Sequence, residues 1–151
     1  MRIGLEFDGV IVREDDHDFD DTTTPLQLMP GALVGLRSLR AAGHVLLLYS
    51  ERANRSLRES PMLDPLIVAG ITRIDLAVWA REQPIYQARF DQMLSLCSGQ
   101  LRGLFHGVDD GQQGKPVLDL LIDRRVFGYR PTDGWLKLKS LYGARTRRRE
   151  E

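Results

Sequence analysis

The sequence predicts a single domain of the α/β class, a three-layer sandwich in which a mainly parallel sheet lies between layers of helices. Short apolar runs alternate with longer amphipathic stretches, which is the pattern of strands joined by crossover helices. The predicted strand at residues 44–49 is continuously apolar after His44, as expected of a central parallel strand covered on both faces. A length of 151 residues suffices for one such domain with its own core.

The individual elements follow from local patterns. The predicted strands cover residues 2–7, 44–49, 74–79, 101–106 and 118–122, because each is a short apolar run bounded by polar or turn residues. The predicted helices cover residues 30–42, 51–60, 84–98 and 135–142, with further helical turns at 65–70. The domain is predicted to span residues 1–144, followed by a flexible tail at 145–151.

Two of the helices carry clear end signals. In the helix at 30–42, Leu33, Leu36 and Leu39 recur at helical spacing, and Gly43 stands at the expected C-terminal position. Pro84 is placed at the start of its helix, where its missing N–H group is harmless. The polar, acidic stretch at 13–24 is predicted to be a loop or a hairpin, and the stretch at 107–114 is predicted to form turns.

Composition and charge exclude several classes of protein. Hydrophobic residues make up 42% of the chain and charged residues 28%, which is ordinary usage for a folded domain. The 21 Lys and Arg residues balance the 21 Asp and Glu residues, so nucleic acid is not an expected partner. No apolar run approaches the ~20 residues needed to cross a bilayer, and no secretory signal is visible. With Cys97 as the single cysteine, these features predict a cytoplasmic protein with no membrane partner.

Polar side chains lie at the ends of three of the predicted strands. Glu6 and Asp8 lie at the end of the first, Ser50 follows the second and Asp123 follows the last. Because the carboxyl ends of parallel strands form one crevice, we expect these groups to converge, with Lys115 within reach of the same edge. Carboxylates of this kind hold Mg²⁺, and a hydroxyl and an ammonium donate to phosphate oxygens. The set therefore predicts phosphoryl-transfer chemistry.

These positions resemble the haloacid dehalogenase-like (HAD) superfamily of Mg²⁺-dependent phosphatases. Four motifs appear in the family's order: Glu6-Phe7-Asp8-Gly9-Val10, Leu48-Tyr49-Ser50, Gly114-Lys115-Pro116 and Ile122-Asp123-Arg124. The stretch Met29-Pro30-Gly31-Ala32 ahead of the second strand is also typical of that family. The resemblance covers residues 3 to about 125 and implies a Rossmannoid fold of the short, capless type.

The resemblance also implies a role for each residue. Asp8 would be the proton donor and a Mg²⁺ ligand, and Asp123 would be a second ligand. Ser50 and Lys115 would bind the phosphate of a small phosphorylated substrate. Glu6 stands at the position of the family's nucleophile and would also contact the metal ion.

Two positions depart from the family's pattern. Glu6 replaces an aspartate, and its extra methylene advances the carboxylate by about 1.5 Å. A displacement of ~1 Å in a reacting group can cost ~10²-fold in rate. Arg124 stands where the fourth motif often has a second acid. The sequence thus predicts an atypical Mg²⁺-dependent phosphatase, a hydrolase of phosphomonoesters. The alternative is a catalytically silent HAD-like domain that binds a phosphorylated ligand or a protein partner, and a homo-oligomer is open in either case.

Alternative roles remain open for some of these residues. Ser50 can act as the N-cap of the helix that follows it. Arg52 and Arg55 can meet a substrate anion or lie on an exposed helix face. The acidic stretch at 14–21 is expected to be a solvated flap over the site rather than a metal site.

Overall fold

A parallel sheet lies at the centre of the computed structural model, which describes residues 1–13, 20–59, 76–112, 116–123 and 134–143. Within those residues, the strands are β1 (Arg2–Glu6), β2 (Val45–Tyr49), β3 (Gly107–Val108) and β4 (Leu120–Ile122). Their order in the sheet is β3-β2-β1-β4, and every neighbouring pair is parallel. The predicted α/β class and parallel sheet are therefore confirmed.

Helices follow or precede each strand in the described ranges. Their bounds are α1 (Ala32–Ala41), a short 3-10 helix (Glu51–Ala53), α2 (Arg55–Arg58), α3 (Leu76–Ser98) and α4 (Gly134–Tyr142). Helix α1 joins the two central strands β1 and β2, so their parallel pairing is a crossover connection. None of the described helices is both long enough and apolar enough to span a bilayer.

The core forms where the two central strands meet α1. Ile3 and Leu5 of β1 are fully buried, and Leu36 and Leu39 of α1 are fully buried as their spacing predicted. Leu33, the third member of the predicted stripe, is partly buried against the same core. Burial of side chains of this size contributes about 1.5–3 kcal/mol each, which is why the central elements agree best with the sequence pattern.

Helix α4 packs against α1 at a position without a side chain. A Cβ atom added to Gly35 would lie 2.2 Å from Cε3 of the Trp135 ring. The indole Nε1 of Trp135 donates a 2.7 Å hydrogen bond to the carbonyl oxygen of Val10, just after β1. Gly35 therefore allows Trp135 to close over α1 and to tie α4 to the segment that follows the central strand.

We expect Gly35→Ala to lower the free energy of unfolding by about 1–3 kcal/mol, because the added methyl group overlaps the indole ring. In a helix without such a contact, the same change would stabilise by up to ~1 kcal/mol. Urea denaturation measures the difference. Val34→Ala is the control, since Val34 is 55% exposed on the same helix and should change stability by less than about 0.5 kcal/mol. A stabilised Gly35→Ala variant would contradict the tight contact.

Two predicted strands are wrong. Residues 76–79 of the strand predicted at 74–79 are the first turn of α3, and Pro84 lies inside this helix rather than at its start. A short apolar run does not distinguish a strand from a helix, and the Ala80-Arg81-Glu82-Gln83 segment favours helix. Residues 101–104 form turns, and β3 begins at Gly107, where a turn was predicted. The predicted helical turns at 65–70 and the tail at 145–151 lie outside the described residues.

Candidate functional site

The polar residues predicted to converge do lie at one edge of the sheet. Glu6 ends β1, Ser50 follows β2 and Asp123 follows β4. Because β1 pairs in parallel with both β2 and β4, these positions share the carboxyl edge of the sheet. Each of the three is at least 95% buried. Asp8 lies two residues beyond β1, and its charge reaches Glu6, whereas Lys115 lies outside the described residues.

Glu6 is a buried carboxyl group with one unpaired oxygen. Its Oε1 accepts a 3.1 Å hydrogen bond from the backbone N–H of Phe7, whereas its buried Oε2 has no hydrogen-bond partner. Burial raises the pKa of Glu6 to about 8, and the hydrogen bond from Phe7 opposes the rise. The negative charges of Asp8, Asp123 and Glu51 contribute to this same rise. Glu6 is therefore mostly protonated at neutral pH, and a protonated carboxyl group is a poor nucleophile.

Asp8 is held by the guanidinium group of Arg52. The Nε of Arg52 donates to Oδ2 of Asp8 at 2.8 Å, and Nη2 donates to Oδ1 at 2.6 Å. The Arg52 side chain is 5% exposed and that of Asp8 is 17% exposed, so this bidentate pair is largely shielded from water. Arg89 lies farther away, with its Nη2 4.0 Å from Oδ1. Both Asp8 oxygens thus already accept hydrogen bonds from an internal cation.

The rest of Arg52 is fixed by several elements. Its backbone N–H donates to Oγ of Ser50 at 3.1 Å, which makes Ser50 the N-cap of the 3-10 helix. Its Nη1 donates to the carbonyl oxygen of Arg89 and to Oε1 of Gln92, at 3.0 and 3.3 Å. The guanidinium carbon lies 5.1 Å from the centre of the Phe7 ring, within cation–π range. Of the two roles left open for Arg52, a place on an exposed helix face is wrong, because these contacts bury it.

A groove of about 560 Å³ is connected to the Asp8–Arg52 pair through one residue of α3. It lies between residues 22–26 and α3, and Gln92 is on its wall. The Nε2 of Gln92 donates to the carbonyl oxygen of Thr22 at 2.6 Å, while its Oε1 accepts from Arg52. One side chain thus connects the groove to the Asp8–Arg52 pair.

The acidic edge offers a divalent cation negative charge and oxygen donors, but no preformed set of ligands among the residues that the structure describes. Carboxylate oxygens are the ligands that Mg²⁺ prefers, and the unpaired Oε2 of Glu6 lies close to the charges of Asp8 and Asp123. They do not form a ligand set as they stand, since no cluster of three or more His, Cys, Asp or Glu residues in the described ranges could hold a metal ion.

Cys97 does not belong to this site. It is about half buried on α3, and burial raises the pKa of its thiol to about 11. It is therefore protonated at neutral pH and is not an activated nucleophile.

Comparison with known proteins finds no matching protein family, no matching curated protein and no matching solved structure. The resemblance to the HAD superfamily thus depends on the motifs in the sequence.

Proposed function

We propose that this chain is a HAD-like, three-layer Rossmannoid domain and that its acidic edge is an atypical Mg²⁺-dependent phosphomonoesterase site. The observation that supports this most strongly is Glu6, whose buried Oε2 has no partner beside the charges of Asp8 and Asp123. Leaving a buried polar atom unpaired costs about 1–3 kcal/mol, so this arrangement lowers the free energy of unfolding. Groups perturbed in this way cluster at functional sites.

The residues would divide the chemistry among them. Glu6, Asp8 and Asp123 would hold Mg²⁺, which when bound would draw electron density from a phosphoryl oxygen of a small phosphorylated substrate. Ser50 uses its Oγ to accept from the N–H of Arg52, so its hydroxyl hydrogen can be donated to a phosphate oxygen. Lys115 would supply a second donor to the phosphate. Glu6, ionised when the cation is bound, would attack phosphorus as the ester oxygen leaves, and Asp8 in its protonated form would give its proton to that oxygen. Water would then cleave the acyl phosphate on Glu6 and return a proton to Asp8.

We expect the wild-type chain to hydrolyse p-nitrophenyl phosphate slowly and only with Mg²⁺. Asp8→Asn should lower the rate by ~10²-fold or more, because it removes a proposed Mg²⁺ ligand together with the group that moves the proton. Glu6→Asp should raise the rate by up to ~10²-fold, because it returns the carboxylate to the family's position. Release of p-nitrophenol at pH 7 measures the rates.

Asp119→Asn is the matched control for this experiment. The Oδ2 of Asp119 accepts a 2.6 Å hydrogen bond from the backbone N–H of Arg2, at the opposite edge of the same sheet. This variant should keep the wild-type rate. Turnover that survives Asp8→Asn would contradict the proposal, as would a wild-type chain and a Glu6→Asp variant that both lack Mg²⁺-dependent turnover.

The Asp8–Arg52 pair favours a second candidate function. With Asp8 held by a guanidinium and Glu6 protonated, the chain would be a catalytically silent HAD-like domain that binds a phosphorylated ligand. Absence of wild-type turnover together with turnover in Glu6→Asp would identify this second function.

A further inference from the structure

We propose that Arg52 is an internal cation that competes with a divalent metal ion for Asp8 and thereby sets the metal affinity of the acidic edge. This inference rests on the proposed function, since it concerns the same Mg²⁺ site. The observation behind it is the bidentate pair, in which the guanidinium donates to both oxygens of Asp8, at 2.8 Å from Nε and 2.6 Å from Nη2.

Competition follows from charge and from geometry. A metal ion bound by Asp8 must approach an oxygen that already accepts from Arg52, and it meets a positive charge a few ångströms away. The repulsion is weakly screened, because the side chain of Arg52 is 5% exposed. Mg²⁺ therefore binds Asp8 well only when the guanidinium turns away from it.

The structure also shows what opposes this movement. Arg52 is anchored by the carbonyl oxygen of Arg89 and by Gln92 on α3, and its flat face lies over Phe7. The bond to Gln92 is long, at 3.3 Å, whereas Gln92 itself is held by Thr22 at 2.6 Å. Arg52 is thus a positioning residue, which keeps the carboxylate of Asp8 paired until a stronger cation displaces it.

The test is a titration of the protein with Mg²⁺ alone, in which isothermal titration calorimetry measures the binding affinity. We expect Arg52→Gln to tighten Mg²⁺ binding by about tenfold or more, because it removes the competing charge. Arg52→Lys should bind Mg²⁺ with intermediate affinity, since lysine keeps the charge but cannot make the bidentate contact. Lysine also conserves a buried cation, so this second variant tests the inference if Arg52→Gln does not fold.

Arg55→Gln is the matched control. Arg55 lies three residues along the chain, and its described ion pair is with the exposed Glu59. Its Mg²⁺ affinity should stay within about twofold of wild type, because an exposed charge is screened by salt. Circular dichroism confirms that each variant is folded.

The outcomes separate this inference from the proposed function. Equal Mg²⁺ affinity in folded Arg52→Gln and wild type would overturn the inference, even if the wild type hydrolyses the aryl phosphate. Tighter binding in Arg52→Gln without any wild-type turnover would support the inference and count against the phosphatase. Absence of Mg²⁺ binding in every variant would overturn both.

Discussion

Replacing Glu6 with glutamine is expected to raise the free energy of unfolding by on the order of 3 kcal/mol at pH 7 and to flatten its pH dependence. Burial raises the pKa of Glu6 from 4.5 to about 8 in the folded chain. Below pH 4.5 the carboxyl group is protonated in both the folded and the unfolded state, so folding buries no charge at this position. As the pH rises through the window from about 4.5 to about 8, the unfolded chain releases this proton first. Stability then falls by about 1.4 kcal/mol per pH unit and levels off above pH 8.

Urea denaturation at pH 5, 6, 7, 8 and 9, without divalent ions, measures this dependence. The glutamine variant has no proton to release, so its stability should change much less across the window. Glu59→Gln is the control, because Arg55 lowers the pKa of the exposed Glu59. That carboxylate is already charged above pH 5 in both states, so this variant should retain the wild-type slope. Equal slopes in wild type and Glu6→Gln would show that Glu6 is not the buried acid described above.

The elements that the sequence pattern predicted best are those with strong local signals. Strands β1 and β2 lie within one residue of their predicted ends, because both are apolar runs buried at the centre of the sheet. Helix α1 agrees because its leucine spacing and Gly43 point to the same end. By contrast, β3 has only two residues, which pair with Leu47 and Leu48 at the edge of the sheet. Its position depends on this pairing with β2, and the local sequence gives little signal for it.

The candidate site divides in the same way. The shared edge of Glu6, Ser50 and Asp123 depends only on parallel strand pairing, which the alternation of runs and amphipathic stretches predicts. The pairing of Asp8 with Arg52 depends on side-chain rotamers and on the packing of Arg52 between Phe7 and α3. No residue spacing encodes those contacts. The only signal for Arg52 was its position two residues after Ser50, which fits an exposed arginine equally well.

Removing the Asp8 carboxylate is expected to destabilise the chain by about 3 kcal/mol at pH 7. Asp8→Ala leaves the guanidinium of Arg52 buried without its carboxylate partner. The neutral oxygens of Arg89 and Gln92 still accept hydrogen bonds from it. Breaking a buried ion pair from one side typically costs 3–5 kcal/mol, and the lower end applies because Asp8 is 17% exposed. Glu59→Ala removes the carboxylate from the exposed Arg55–Glu59 pair and should change stability far less.

The double variant Asp8→Ala/Arg52→Met identifies the origin of that loss. If the cost comes from the stranded charge, exchanging Arg52 for an uncharged side chain of similar length should recover most of it, because packing on Phe7 is retained. If the cost comes from lost contacts, the double variant should be less stable than either single variant. Urea denaturation of the four proteins gives the coupling energy between the two positions directly. A coupling near zero would mean that the short distances between Asp8 and Arg52 do not reflect an energetically significant pair, and the competition with Mg²⁺ would then have no basis.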